Sequence, residues 1–215
     1  MNTDLWLTRI IPNPHNHSAR SDIRSAVGLH HRVMMLFPDG LGANARHMVG
    51  ALFRVDETPL CTSVMIQSAL APNLERLDPA YGQAQSRPLS PLLHRLTKGT
   101  AIHYRLTANA TRKLGKRTIA GRPGQVIPLH DADADVWWQR QAEKAGLALL
   151  SGHNTRLPDA RGSRGSDKFT VTHARTRFDG TATVTDPDAL RHHLAAGFGR
   201  GKSYGCGLLT VAPAT

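Results

Sequence analysis

Residues 195–213 read Ala-Ala-Gly-Phe-Gly-Arg-Gly-Lys-Ser-Tyr-Gly-Cys-Gly-Leu-Leu-Thr-Val-Ala-Pro. Ala196 through Ser203 fits the loose form of a phosphate-binding P-loop, with Gly201-Lys202-Ser203 at its end. A P-loop follows a strand and opens a helix, because the helix N-terminus helps hold the nucleotide phosphates. Here the order is reversed. Asp186 to Ala196 reads as a short helix, with Asp186 as its cap ahead of Pro187, and Leu208 to Ala212 reads as a strand. The stretch is therefore read as a helix–loop–strand unit of an α+β fold, an order that argues against an NTPase site. The dinucleotide fingerprint fails as well, because Gly199, Gly201 and Gly205 have the wrong spacing. Glycines 197, 199, 201, 205 and 207 still let backbone N–H groups approach a phosphate, and Arg200 and Lys202 add charge. The competing reading is a mobile helix-to-strand linker.

Charge favours the phosphate reading. The chain has 215 residues, with 27 Lys plus Arg against 16 Asp plus Glu, for a formal charge of +11. A charge so far above zero points to a polyanionic partner. Aromatic residues make up only 5%, which disfavours a stacking platform for single-stranded bases and favours recognition of a structured backbone. Cys61 and Cys206 are too few for a disulfide framework or a zinc site. The 12 histidines are scattered, and neither His30-His31 nor His192-His193 has the spacing of helical metal ligands. No metal and no cofactor is expected. Asp4 and Arg9 interrupt the first apolar run, and no run is long enough to span a membrane, so a cytoplasmic protein is expected.

Upstream of the glycine loop, strands are predicted at Leu5–Ile11, Ala51–Asp56, Cys61–Ser68 and Ala101–Ala108. Helices are predicted from about Asp22 to Phe37 and from Leu92 to Leu96. This β-α-β-β-α-β order is ferredoxin-like and assigns residues 1–108 to a first domain. Residues 109–215 read as a second such unit, less regular than the first. It has a helix across Ala134–Ala145, a strand near Leu147–Leu150 and a flexible basic loop from Pro158 to Ser166. A hairpin follows, turning at Asp179-Gly180, and then the Asp186 helix and the last strand.

On the first predicted helix Ile23, Val27, His30, Val33, Met34 and Phe37 share one face. A lone histidine in such a stripe is either a packed core residue or a partly buried imidazole tuned for proton transfer. The second role suits RNA, whose ribose 2′-hydroxyl is a built-in nucleophile. An imidazole that moves its proton, or that of the leaving 5′-oxygen, cleaves without metal. Amides and cations near the phosphate would stabilise the added charge. The glycine loop and Arg112, Lys113, Lys116 and Arg117 are the candidates.

These features together resemble the CasE family, the pre-crRNA endoribonucleases of the type I-E CRISPR Cascade complex. The resemblance spans nearly the whole chain. Its anchors are Trp6-Leu-Thr-Arg-Ile with Asn13-Pro14, the Leu29-His30 helix running to Phe37-Pro38, Arg105-Leu-Thr-Ala-Asn-Ala, and Gly197 through Pro213. It implies tandem ferredoxin-like domains and metal-independent cleavage at the 3′ base of a repeat-RNA hairpin. The products would be a 2′,3′-cyclic phosphate and a 5′-hydroxyl. It further implies that the enzyme keeps its product and joins the other Cascade subunits. The catalytic histidine maps to His30, with His31 the alternative if the register shifts by one. The tyrosine that family members often carry three residues earlier is Val27 here, and Lys113, Ser203 or Tyr204 are the candidates to replace it. RNA-gripping roles map to Arg112, Lys113, Lys116 and Arg117, to Arg161, Arg164 and Lys168, and to Gly199, Arg200, Gly201 and Lys202 of the loop. A non-catalytic or weakly catalytic hairpin-binding Cascade subunit is the alternative that Val27 raises.

Overall fold

Burial alternates along Thr8–Pro12 of β1 (Trp6–Pro12), so one face of this strand lies in a core. The computed structural model describes residues 4–117, 121–164 and 169–214. After β1 come α1 (His17–Arg24), α2 (Ala26–Met34), α3 (Ala45–Met48), β2 (Leu52–Glu57), β3 (Thr62–Ser68), β4 (Gly82–Pro88) and α4 (Ser90–Arg95). The chain continues with β5 (Ala101–Ala108), β6 (Thr111–Lys113), β7 (Val126–Pro128), α5 (Asp131–Lys144), β8 (Leu147–Arg164), β9 (Phe169–Val184), α6 (Pro187–Ala196) and β10 (Leu208–Pro213). Single turns of 3-10 helix occur at Gly42–Asn44, Leu74–Arg76 and Lys202–Tyr204. No helix among the described residues is long and apolar enough to cross a membrane.

Two four-stranded antiparallel sheets result, ordered β2-β3-β1-β4 and β10-β5-β9-β8. Both follow the ferredoxin-like order, so the fold is a tandem of two such domains. The second unit, β5-α5-β8-β9-α6-β10, is the more regular one, contrary to expectation. In the first, only the single turn Leu74–Arg76 stands where a second crossover helix belongs.

Four readings need correction. The strand Ala101–Ala108 pairs with β9 and β10, so it opens the second sheet instead of closing the first. A division at residue 108 would therefore separate β5 from its partners, and the sheets divide between α4 and β5. The fourth strand of the first sheet is β4, Gly-Gln-Ala-Gln-Ser-Arg-Pro, a half-exposed edge strand with no apolar run to announce it.

The predicted helix from Asp22 to Phe37 is two helices. Ser25 is extended (φ −121°, ψ 112°), and its Oγ accepts from the Gly28 N–H at 3.1 Å, capping α2. An Arg32–Asp22 ion pair at 2.8 Å spans the break.

Pro158–Arg164 is paired strand within β8, with a register shift between Leu157 and Ala160 that accommodates the proline. Asp179-Gly180 is not a turn either. Both lie within β9, where Asp179 takes ion pairs from Arg105 and Arg177. A Cβ on Gly180 would stand 2.6 Å from the Tyr104 hydroxyl, which donates to the Ser151 carbonyl at 3.2 Å. The glycine marks a close approach, not a turn.

Each sheet has its own core. Leu29, Val33, Phe37, Phe53, Val64 and Ile66 fill the first, and Trp137, Trp138, Phe178, Phe198 and Leu209 fill the second. Between the domains, Arg54 of β2 is 4% exposed. Its Nε donates to Asp56 at 2.9 Å and its Nη1 to Thr210 Oγ1 of β10 at 2.9 Å. Gln67 of β3 donates to the Leu194 carbonyl of α6 at 2.6 Å. These bonds join the first sheet to the last strand and last helix of the second domain.

Candidate active site

On α2, Val27, Leu29 and Val33 are buried and His31 is exposed. His30 is half-buried between them. The break at Ser25 sets this phase, because α2 starts its own periodicity there. The His30 ring lies 6.4 Å from Phe53 of β2, near parallel at 23°, and 6.5 Å from Tyr204 at 56°. His31 lies 6.1 Å away, on the solvent side.

Tyr204 reaches this position from the second domain. Glycines 197, 199, 201, 205 and 207 all have positive φ, so the chain between α6 and β10 folds back on itself. The Phe198 N–H donates to the Gly207 carbonyl at 3.0 Å, and the Tyr204 N–H to the Gly201 carbonyl at 2.8 Å. The segment is thus a closed, ordered loop, and the linker reading fails. On its other side, Tyr204 stacks on His173 of β9 at 5.2 Å and 24°. Asn109 Nδ2 stands 3.0 Å from His173 Nδ1. Burial, and then the charge of Arg200, push the His173 pKa below its ordinary value.

The predicted binding residues spread around this centre. Arg200 is exposed and bridges to Asn109 through the backbone. Lys202 donates to the Ala196 carbonyl at 2.7 Å, closing the C-terminus of α6. Burial, and then Arg46, lower its pKa. Ser203 is half-buried in the same turn. Arg112 and Lys113 lie exposed on β6, and Lys116 and Arg117 are exposed just beyond it. Arg161 of β8 is exposed, 3.6 Å from Asp159. The Arg164 backbone pairs with Phe169 at the end of the β8–β9 ladder, and Lys168 lies outside the described residues.

A cleft of about 430 Å³ lies beside His173, lined among others by Asn109, His130, Arg156, Thr172, His173 and Arg200. Among the described residues, no three His, Cys, Asp or Glu side chains are grouped so as to hold a metal ion.

A family model described as CRISPR associated protein matches residues 5–213. The CRISPR-associated endoribonuclease Cse3 of Thermus thermophilus is 28% identical over 224 residues, covering 97% of this chain and all of Cse3. The Cascade subunit CasE of Escherichia coli is 28% identical over 203 residues, covering 91% of this chain and 96% of its own. The chain belongs to the CasE family of CRISPR-associated proteins. The solved structure of Thermus thermophilus Cse3 bound to an RNA representing a pre-cleavage complex superposes with a TM-score of 0.79 at 26% identity. The match covers 98% of this chain and 100% of that one.

In this CasE-family chain, Val27 is committed to packing. A Cβ on Gly162 of β8 would stand 2.7 Å from Val27 Cγ2, so the strand presses directly on the helix there. Sequence reasoning missed His173, Phe53 and Arg46. His173 sits in Phe-Thr-Val-Thr-His-Ala, an alternating strand with nothing to mark one position. Asn109 fell inside the quoted Arg105–Ala110 anchor without a role. The contacts of Tyr204 with His173 and of His173 with Asn109 lie within the second domain, whereas the contact of His30 with Tyr204 exists only once the domains are docked.

Proposed function

We propose that this chain is a metal-independent endoribonuclease of the cytoplasm that cuts CRISPR repeat RNA at the 3′ base of its hairpin. His30 is the proton carrier. The observation that carries this reading is the half-buried His30 imidazole, held between Phe53 of the first domain and Tyr204 of the glycine loop. In the reaction the ribose O2′ attacks the adjacent phosphorus as its proton leaves, and the P–O5′ bond breaks as O5′ gains a proton. A 2′,3′-cyclic phosphate and a 5′-hydroxyl result. Nearby backbone amides and Arg200 are suited to the charge that grows on the phosphoryl oxygens. The basic residues from Arg112 to Arg117 and along β8 would grip the stem, whose backbone is the polyanion that the +11 charge calls for. The family relationship supports retention of the cleaved RNA alongside other Cascade subunits.

Cleavage of a repeat transcript in EDTA tests the reading. Wild-type protein is expected to cut, and His30→Ala to lose at least about 100-fold in rate while still binding the hairpin. Equal cutting by both would remove His30 from the mechanism, and cutting only with added divalent ion would remove the metal-free chemistry. The packed Val27 favours one second reading, a hairpin-holding subunit that cleaves slowly, because no hydroxyl stands at that position to orient the nucleophile. A tight complex with little product would select it.

A further inference from the structure

We infer that His173 is a second imidazole of the RNA site, a neutral hydrogen-bond donor whose tautomer Asn109 sets. The inference rests on the endoribonuclease reading and adds a residue to it.

Three observations meet at this side chain. First, an amide Nδ2 can only donate, so His173 Nδ1, 3.0 Å from Asn109 Nδ2, accepts. The imidazole proton of the neutral ring must then sit on Nε2. Second, Tyr204 touches both imidazoles, with ring centroids 5.2 Å from His173 and 6.5 Å from His30. The second domain therefore delivers its imidazole to the edge of the site that the first domain supplies. Third, His173 and Arg200 line the same cleft of about 430 Å³, and Asn109, 4% exposed, lines it too. Asn109 Oδ1 is buried with no hydrogen-bond partner among the described residues. Such an acceptor calls for a donor from whatever fills the cleft.

The depressed pKa agrees with a neutral ring near pH 7. A neutral donor suits a phosphoryl oxygen that gains charge in the transition state, beside the permanent charge of Arg200. The ribose hydroxyl of the same nucleotide is the matching donor for Asn109 Oδ1. The occupant is thus one sugar-phosphate unit of the RNA strand next to the scissile bond. His30 moves the protons, and His173 holds the phosphate still.

Substitutions at His173 test this, because glutamine and asparagine place an amide at different ring positions. His173→Gln puts its N–H near the Nε2 place and His173→Asn near the Nδ1 place. With repeat RNA under saturating protein, His173→Ala and His173→Asn are expected to cut roughly 100-fold more slowly than wild type. His173→Gln should keep most of the rate. Affinity for a repeat RNA carrying 2′-deoxyribose at the scissile nucleotide should change little in all three. Imidazole nitrogen NMR of the wild-type protein should find Nε2 protonated and Nδ1 bare. A wild-type rate in His173→Ala, equal loss in the Gln and Asn variants, or a proton on Nδ1 would each overturn the inference. Wild type and His30→Ala run beside them report on the function itself. If wild type does not cut, that reading fails, and the tautomer measurement alone decides the role of His173.

Discussion

The two cysteines illustrate how much one side chain's surroundings decide. Cys206 is fully buried within the glycine loop, between Gly205 and Gly207, and burial pushes its pKa up to about 12. Cys61 is partly exposed in the turn between β2 and β3. The thiolate is the reactive form, so Cys206 stays protonated and inert across the range where ordinary thiols ionise. Titration with a thiol reagent at pH 8 should count one reactive group in the native protein and two after unfolding. Rapid reaction of both in the native state would mean that the loop opens readily. The same contrast separates His30 from His31. They are neighbours in sequence, but one is wedged between rings of both domains and the other faces solvent. Adjacent helix positions differ by about 100° in direction, so a register error of one residue exchanges these roles.

Helix α2 carries the proposed catalytic histidine, and Ser25 decides where the helix begins. Its hydroxyl caps the Gly28 N–H, and its extended backbone lets α1 and α2 turn independently. Ser25→Ala should lower stability by about 1 kcal/mol in urea unfolding, and Ser25→Asp should recover most of it. No loss would mean that packing of Leu29 and Val33 alone holds the helix. The stretch after β6 has a different job. Lys116 and Arg117 are exposed and make no ion pair among the described residues, so they are available to phosphates. Replacing both by alanine should weaken hairpin binding and reduce the salt slope of log K by about one per charge. An unchanged slope would turn this face away from the RNA.

The site exists only as long as the domains stay docked, and buried polar groups hold them. Arg54 pairs with Asp56 and reaches Thr210 of the opposite sheet, while Arg105 approaches Asp56 at 3.9 Å and pairs with Asp179. Arg54→Ala leaves Asp56 with a weaker partner in a buried seam. It is expected to cost about 3 kcal/mol in urea unfolding and to slow cleavage, since His30 and Tyr204 come from opposite domains. Full stability together with full activity in this variant would mean that apolar contact alone fixes the docking.

The reach of the sequence follows from the range of the forces that each feature reports. Strands β1, β2, β3 and β5 were legible because apolar residues recur along them, and α6 because Asp186 caps it locally, accepting from Asp188 and Ala189 at 3.0 Å. The charge, the glycine loop and the family resemblance pointed to RNA and to His30. Strand β4 was not legible, because a polar edge strand is defined by its partner β1 and not by its own composition. Asp179-Gly180 misled because its carboxylate and missing side chain serve Arg105 and Tyr104, residues far away in the chain. Sequence alone determined two ferredoxin-like domains, a basic chain and an imidazole on the helical segment that becomes α2. Tertiary structure alone decided that β5 belongs to the second sheet and that Tyr204 stands beside His30 on one side and His173 on the other. Local patterns encode elements, whereas sheet pairing and domain docking depend on complementarity between segments distant along the chain.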